Sequence, residues 1–176
     1  MLPRDTRRET RSVRCAILSI ADTRTPDTDD SGRMLQTRLT EAGHVIAEYR
    51  IIRDDPNEIR QHLVRLAENP DIQAVICNGG TGITPRDQTF EALDSMLEKR
   101  LDGFAEIFRY LAFKEMGASA ILMRAVAGVY QGLIVISLPG APACVNLALE
   151  KLIVPELGQM TALARKTGSS HRSGVH

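Results

Sequence analysis

Residues 74–87 read AVICNGGTGITPRD, the most informative segment of the chain. Its first four residues are apolar, which suits a short buried strand. Three glycines then fall within four positions, and they let the backbone turn sharply where a Cβ would stand in the way. A helical pattern begins near Thr89, so the sequence predicts a strand, a glycine loop and a helix in direct succession.

The same junction is suited to binding an anion beside a carboxylate. Free backbone N–H groups between a glycine loop and a helix point at a ligand and favour phosphate. Asp87 places a carboxylate next to that anion, where it would hold a cation. The spacing is neither GxGxxG nor that of a Walker loop, since no Lys-Ser or Lys-Thr pair follows the glycines.

Strands and helices alternate through the first half of the chain. The apolar run at residues 13–20 predicts a strand buried on both faces, residues 45–52 are predicted to form the second strand, and the apolar run at 74–77 predicts the third. The helix after the second strand has a clear start, with Asp55 as the N-cap and Pro56 at the first helical position. Repeated strand–helix–strand units predict an α/β fold with a mostly parallel sheet between helical layers.

The second half departs from this alternation. Phe90, Leu93 and Leu97 share a helical period, and a further helix follows. Apolar runs at 122–129 and 133–138 predict an antiparallel hairpin, which makes the sheet mixed. A last helix begins near residue 142, and Pro155 is expected to kink or end it.

Ligands of open α/β sheets bind beyond the carboxyl ends of the strands. The loops predicted there are residues 21–30, 53–55, 78–88 and 137–142. Asp54 and Asp87 come from two of these loops and could converge on one Mg²⁺, a cation that favours oxygen ligands and substrate phosphates. Two unrelated loop aspartates are the alternative. Arginines in or near the loops are candidates to neutralise phosphate: Arg53, Arg86, Arg109 and Arg124.

A second strand–turn–helix junction spans residues 137–143 (SLPGAPA). A turn followed by a proline at the start of a helix explains it without any ligand. Alternatively, this helix start faces the same edge as the glycine loop and binds a second anionic or polar group.

Composition limits the remaining classes of function. The chain has 22 basic and 22 acidic residues among 176, so neither nucleic acid nor membrane is an expected partner. Cys15, Cys77 and Cys144 form no CxxC pair, and with no signal peptide in view they predict a cytoplasmic protein. The chain is predicted to be one domain, residues 13–165, between a flexible arm at 1–12 and a flexible tail at 166–176.

Three motifs taken in order resemble the MoaB/MogA family of molybdenum-cofactor biosynthesis proteins, whose domain also occurs in gephyrin. They are Gly79-Gly80-Thr81-Gly82 with Pro85-Arg86-Asp87, then RAVAG at 124–128, then Leu138-Pro139-Gly140. The likeness covers about residues 13–160. Many members have Ser-Asp-Arg after the first strand, where this chain has Ala21-Asp22-Thr23-Arg24, so no role is carried onto Ala21 or Thr23. The segment at 120–124 is closer to the MoaB branch.

The resemblance implies a three-layer αβα domain that binds molybdopterin, a pterin dithiolene with a terminal phosphate, and assembles as a homotrimer or homohexamer. Active members resemble adenylyltransferases, which use ATP and Mg²⁺ to form adenylyl-molybdopterin and release pyrophosphate. On this likeness Asp54 and Asp87 are the catalytic and metal-binding residues. The residues expected to bind substrate are Gly79, Gly80, Thr81 and Gly82 for phosphate, and Ser137, Pro139 and Gly140 for molybdopterin.

Two other functions are compatible with the same residues. The chain could bind molybdopterin as a non-catalytic or scaffold protein of the same pathway. It could also be a general nucleotide-binding module that uses the glycine loop for another phosphate ligand.

Overall fold

The computed structural model describes residues 11–165, and a six-stranded sheet runs through the middle of this region. The strands are β1 Arg14–Ile20, β2 Val45–Ile52, β3 Ala74–Asn78, β4 Lys99–Arg100, β5 Val126–Tyr130 and β6 Leu133–Leu138. They lie in the order β2-β1-β3-β6-β5-β4. β1, β2, β3 and β6 are parallel, whereas β5 runs antiparallel to both of its neighbours. The predicted mixed α/β sheet is therefore confirmed.

Helices cover both faces of the sheet. They are α1 Asp30–Glu41, α2 Pro56–Glu68, α3 Thr89–Asp94, α4 Asp102–Met116, α5 Pro142–Ala148 and α6 Val154–Ala164. Successive residues of β1 show the layering, because a strand points alternate side chains to opposite faces. Ile17 belongs to one buried cluster with residues of α1, α4, α5 and α6, and Leu18 to another with residues of α2 and α3. The three-layer architecture is confirmed.

The strand predicted over residues 122–129 is wrong at its start, because β5 begins only at Val126. Gly117, with φ of 68°, follows α4, and the chain then forms a 3₁₀ helix over Gly117–Leu122. The apolar side chains of Ile121 and Leu122 lie on the surface. The predicted strand starts too early because Leu122, an apolar residue, belongs to the 3₁₀ helix and lies on the surface.

The sequence pattern also misses β4. The period of Phe90, Leu93 and Leu97 predicts a longer helix, but α3 ends at Asp94. Residues Lys99–Arg100 then pair with Val129 and Gly128 at the edge of the sheet. A strand of two exposed, charged residues has no apolar alternation that could reveal it.

Of the two effects expected of Pro155, an end of the last helix is not observed, because α6 continues past the proline to Ala164. The helix instead changes its geometry just before Pro155. A π-helix over Leu149–Ile153 joins α5 to α6, and the Val154 N–H donates to the Leu149 carbonyl five residues before it. Proline has no N–H, and its ring crowds the carbonyl four residues earlier. A wider π turn just before the proline accommodates both effects without breaking the helix.

The predicted arm at 1–12 and tail at 166–176 lie outside the described residues, apart from residues 11 and 12. Within residues 11–165, none of the helices combines the length and the apolar character that a membrane span needs.

Candidate functional site

The loops that follow the parallel strands meet at one edge of the sheet, as predicted. The Gly79 N–H donates to the Leu138 carbonyl at 3.0 Å, which joins the loop after β3 to the end of β6. The Ala21 N–H donates to the Ile52 carbonyl at 2.9 Å, which joins the ends of β1 and β2. Side chains from four different loops can therefore act on one ligand.

The glycine loop needs its glycines for two reasons. Gly79 and Gly80 have φ angles of 103° and 64°, a region that other residues rarely adopt. A Cβ on Gly79 would also overlap the Ile20 carbonyl, and a Cβ on Gly80 would overlap the Thr89 hydroxyl. The backbone of the loop is thus in close contact with Ile20 and Thr89. This contact fixes the directions in which the N–H groups of the loop point.

Asp54 lies directly beside this loop. A Cβ on Gly80 would stand 2.8 Å from Asp54 Oδ2, and the Thr89 hydroxyl donates to Asp54 Oδ1 at 2.9 Å. Partial burial raises the pKa of Asp54, and the negative charges of Asp87 and Asp22 raise it further, although the bond from Thr89 opposes this shift. A bound cation would favour the ionised carboxylate at this position.

Asp87 borders the same loop at Gly82, the next glycine after Gly80. A Cβ on Gly82 would be 2.5 Å from Asp87 Oδ2. That oxygen accepts the Thr84 N–H at 3.0 Å and the Thr84 hydroxyl at 2.5 Å, so Asp87 also closes the turn that carries it. The structure therefore places both predicted aspartates around the glycine loop.

A metal ion would need ligands beyond these two carboxylates. Throughout residues 11–165, no group of three or more His, Cys, Asp or Glu side chains is placed to hold a metal. Asp54 and Asp87 nonetheless offer the hard oxygen donors that suit Mg²⁺, which keeps several waters and binds substrate phosphates in addition to one or two carboxylates. The donor set fits Mg²⁺ brought in with a phosphate ligand.

The 137–142 turn packs against the glycine loop. A Cβ on Gly140 would be 3.1 Å from the Cα of Gly79, and both Pro139 and Gly140 are partly accessible. Ser137 differs from them, because it is fully buried in β6 and its Oγ finds no hydrogen-bond partner among the described residues. In this conformation a ligand can reach Pro139 and Gly140 but not the Ser137 side chain.

Arg24 is a site residue that the sequence did not reveal. Its guanidinium donates to the Asn78 side-chain carbonyl at 3.2 Å and to the Gly140 carbonyl at 3.3 Å. It also contacts Asp29, a fully buried carboxylate that caps α1. Arg24 thus connects the loops after β1, β3 and β6, whose sequence separation hid the contact.

The four arginines predicted to neutralise phosphate lie at different places relative to the glycine loop. Arg124 donates to the Gly82 carbonyl at 3.5 Å and stacks 4.3 Å from the centre of the Phe90 ring. Arg86 lies on the glycine loop itself. Arg53 is exposed and paired with Glu58, and Arg109 is on α4. Arg86 and Arg124 therefore remain the candidates nearest to a phosphate at the loop.

Two clefts are lined in part by residues of the candidate site. One of about 390 Å³ is lined by Asp87, Gln88 and Arg124, together with residues of α2 and α3. Another of about 550 Å³ is lined by Asp22, Arg24 and Tyr49, among others. Each is of the size that small-molecule sites have.

Known proteins are similar to this chain in sequence and in fold. Residues 16–159 match a family described as "probable molybdopterin binding domain". Molybdenum cofactor biosynthesis protein B of Halalkalibacterium halodurans is 47% identical over 151 residues, which are 85% of this chain and 89% of that protein.

Solved structures agree with this likeness. A crystal structure of a molybdenum cofactor biosynthesis protein B superposes with a TM-score of 0.87 at 43% identity, covering 90% of this chain and 99% of that one. The tungsten cofactor synthesizing protein MoaB from Pyrococcus furiosus superposes with a TM-score of 0.78 at 30% identity, covering 88% and 98%. The chain therefore belongs to the MoaB/MogA family of molybdenum-cofactor biosynthesis proteins and lies closer to its MoaB branch.

Proposed function

We propose that the protein binds molybdopterin and transfers an adenylyl group to it from ATP, with Mg²⁺ as the cofactor. One observation carries the proposal: Asp54 and Asp87 border the glycine loop, and the turn with Pro139 and Gly140 packs against the same loop. A single site can therefore hold two phosphate-bearing ligands next to two carboxylates.

The reaction requires positioning more than covalent chemistry from the protein. A phosphate oxygen of molybdopterin attacks the α-phosphorus of ATP, the bond to pyrophosphate breaks, and adenylyl-molybdopterin and pyrophosphate result. Backbone N–H groups of Gly80, Thr81 and Gly82 hold phosphate in this proposal. The Gly79 N–H already donates to the Leu138 carbonyl, so Gly79 shapes the loop rather than donating to phosphate. Bound Mg²⁺ would supply positive charge against the charge that builds up on the leaving pyrophosphate. Orientation and charge neutralisation then account for the rate.

Each aspartate has a defined task in the proposed site. Thr89 holds one oxygen of Asp54, so the other oxygen stays beside Gly80, where it can ligate Mg²⁺. Asp87, which borders Gly82, would hold the same ion. Pro139 and Gly140 contact molybdopterin directly, whereas the buried Ser137 supports the turn that carries them.

The test is adenylylation by the purified protein with ATP, Mg²⁺ and molybdopterin. We expect AMP-linked pterin and pyrophosphate from the wild type. Asp87→Asn should reduce product formation at least about a hundredfold, because an amide is a poor Mg²⁺ ligand, while molybdopterin binding is retained. The proposal fails if the wild type binds molybdopterin tightly and never consumes ATP.

A non-catalytic molybdopterin-binding or scaffold role is the second candidate. Both Asp87 hydrogen bonds come from Thr84 in its own turn, so closing that turn is a sufficient reason for the carboxylate. On this alternative, Asp54→Asn and Asp87→Asn both leave molybdenum-cofactor production in cells unchanged.

We also propose that the protein works as a homotrimer or homohexamer in the cytoplasm. Large apolar side chains are exposed along α4 and the following 3₁₀ helix: Ile107, Tyr110, Phe113, Ile121 and Leu122. Exposed large apolar side chains on consecutive elements are typical of protein interfaces, and a second copy of the chain is the occupant that the family resemblance implies.

A further inference from the structure

One exposed ion pair spans the entrance of the candidate site. Arg86, on the glycine loop, donates from Nε to Asp22 Oδ2 at 3.0 Å, and its Nη2 contacts the same oxygen. Asp22 lies 64 residues earlier, on the loop after β1. Its other oxygen, Oδ1, accepts the Asp54 N–H at 3.4 Å. A single carboxylate thus connects the three loops that carry Asp22, Asp54 and Arg86.

This contact is weak and open to competition. The Arg86 side chain is 79% exposed and the Asp22 side chain 32%, so water screens both charges. Arg86 Nε and Nη2 both contact one oxygen of Asp22. These two nitrogens bind best when each donates to a separate oxygen. A phosphate presents two oxygens in this geometry and carries more negative charge than a carboxylate.

We propose that Asp22 holds Arg86 across the site when no ligand is bound, and that a phosphate at the glycine loop takes Arg86 over. Asp22 then acts as a positioning residue. Its ion pair with Arg86 competes with phosphate and so lowers the affinity for phosphate. The inference rests on the phosphate site of the proposed function, but not on adenylyl transfer. After the exchange, the Asp22 carboxylate stands beside Asp54 without its arginine.

The experiment measures the affinity of the full chain for inorganic pyrophosphate by titration calorimetry. Arg86→Gln should weaken binding about tenfold, because it removes a charge-assisted, two-oxygen contact. Asp22→Asn should tighten binding about two- to fivefold, since a weak competing partner is lost. Asp30 and Arg33 form an exposed pair within one turn of α1, so Asp30→Asn and Arg33→Gln are matched controls that should change affinity by less than about twofold.

The double variant separates partner exchange from a simple effect of charge. When Arg86 is already Gln, Asp22→Asn should gain no more affinity than Asp30→Asn does. An equal gain from Asp22→Asn in both backgrounds would mean that Asp22 acts through its charge alone, and this overturns the inference. No loss in Arg86→Gln, or no pyrophosphate binding by the wild type, overturns it as well.

A spectroscopic readout follows Arg86 directly. The ¹⁵N–¹H signal of Arg86 Nε, assigned by its absence in Arg86→Gln, should differ between wild type and Asp22→Asn in the free state. Saturating pyrophosphate should bring the two signals to the same position, and signals that stay apart contradict the exchange. If this coupling is found but no adenylyl-molybdopterin forms, the proposed reaction fails and the inference stands.

Discussion

Gly80 is the residue at which the fold and the candidate site depend on each other most closely. Its φ of 64° turns the glycine loop, and the space that a side chain would fill is taken by Thr89 and Asp54. Gly43 also has a positive φ, 88°, but an added Cβ there would meet no atom of the described residues within 4 Å.

The two glycines give a matched pair of substitutions. Gly43→Ala should lower the free energy of unfolding by about 1 kcal/mol through backbone strain alone. Gly80→Ala adds the overlap with Thr89, so we expect a loss of about 2–4 kcal/mol. Urea unfolding measures both, and equal losses would show that the loop is not packed as tightly as described. Pyrophosphate binding should be lost only in Gly80→Ala.

His44 makes stability depend on pH. The ring is buried, and its Nδ1 accepts the Val13 N–H at 3.1 Å, which requires the neutral form. Burial lowers the pKa of His44 below that of the unfolded chain, about 6.5. The unfolded state therefore binds more protons, and the stability that His44 contributes above pH 6.5 is lost as the pH falls below it.

The variant His44→Asn tests this dependence, because asparagine can accept the same hydrogen bond without being protonated in this range. Urea unfolding at pH 7.5 and at pH 5.5 should show a smaller drop in stability for the variant than for the wild type. An identical drop in both proteins would exclude His44 as the source.

At the scale of elements, adjacent aspartates at the end of β2 have separate tasks. Asp55 caps α2, with its carboxylate accepting the N–H groups of Asn57 and Glu58, both at 2.9 Å. Asp54 accepts a hydrogen bond from Thr89, the first residue of α3. The cap could be predicted from sequence because all of its partners lie within three residues. The environment of Asp54 could not, because its partner is 35 residues away.

Substitution should separate the two tasks. Asp55→Ala is expected to lower the free energy of unfolding by about 1 kcal/mol and to leave phosphate binding intact, since only the cap is lost. Asp54→Asn should not lower stability, because the amide still accepts from Thr89 and a charge near Asp87 and Asp22 is removed. It should instead reduce Mg²⁺-dependent product formation. Urea unfolding and the adenylylation assay together measure this, and the reverse pattern would contradict the assignment.

Other elements show where sequence patterns reach their limit. The buried strands β1, β3 and β6 were predictable because each is a largely apolar run. β2 was predicted as well, although it is an edge strand that contains Glu48 and Arg50 and is mostly accessible.

β4 could not be predicted because it consists of two charged edge residues. The apolar residues Ile121 and Leu122 have the sequence pattern of a strand, but they are exposed and form a 3₁₀ helix. The link of Arg24 to Asn78 and Gly140 depends on how three loops fold together, which no local pattern encodes.

For the whole molecule, the apolar side chains exposed on α4 and the 3₁₀ helix are the proposed interface with other copies of the chain. Phe113 is one of these side chains, with 56% of its surface exposed. Phe113→Glu should convert the proposed trimer or hexamer to smaller species, because a charge would be buried unpaired between copies. Phe113→Leu, which keeps the face apolar, should assemble like the wild type.

Light scattering coupled to size-exclusion chromatography gives the mass of each form. A wild type that is monomeric at micromolar concentration, or a Phe113→Glu variant of unchanged mass, would contradict the proposed interface.

We propose that Asp54, Asp87 and the glycine loop form one site for metal and phosphate. A crystal structure with Mn²⁺ in place of Mg²⁺, a non-hydrolysable ATP analogue and molybdopterin tests it most directly, because anomalous scattering locates the metal. We expect one Mn²⁺ peak at about 2.1 Å from an oxygen of Asp54 and from an oxygen of Asp87, with nucleotide phosphate on the N–H groups of residues 80–82. A metal that contacts neither carboxylate, or phosphates bound away from the glycine loop, would contradict the account.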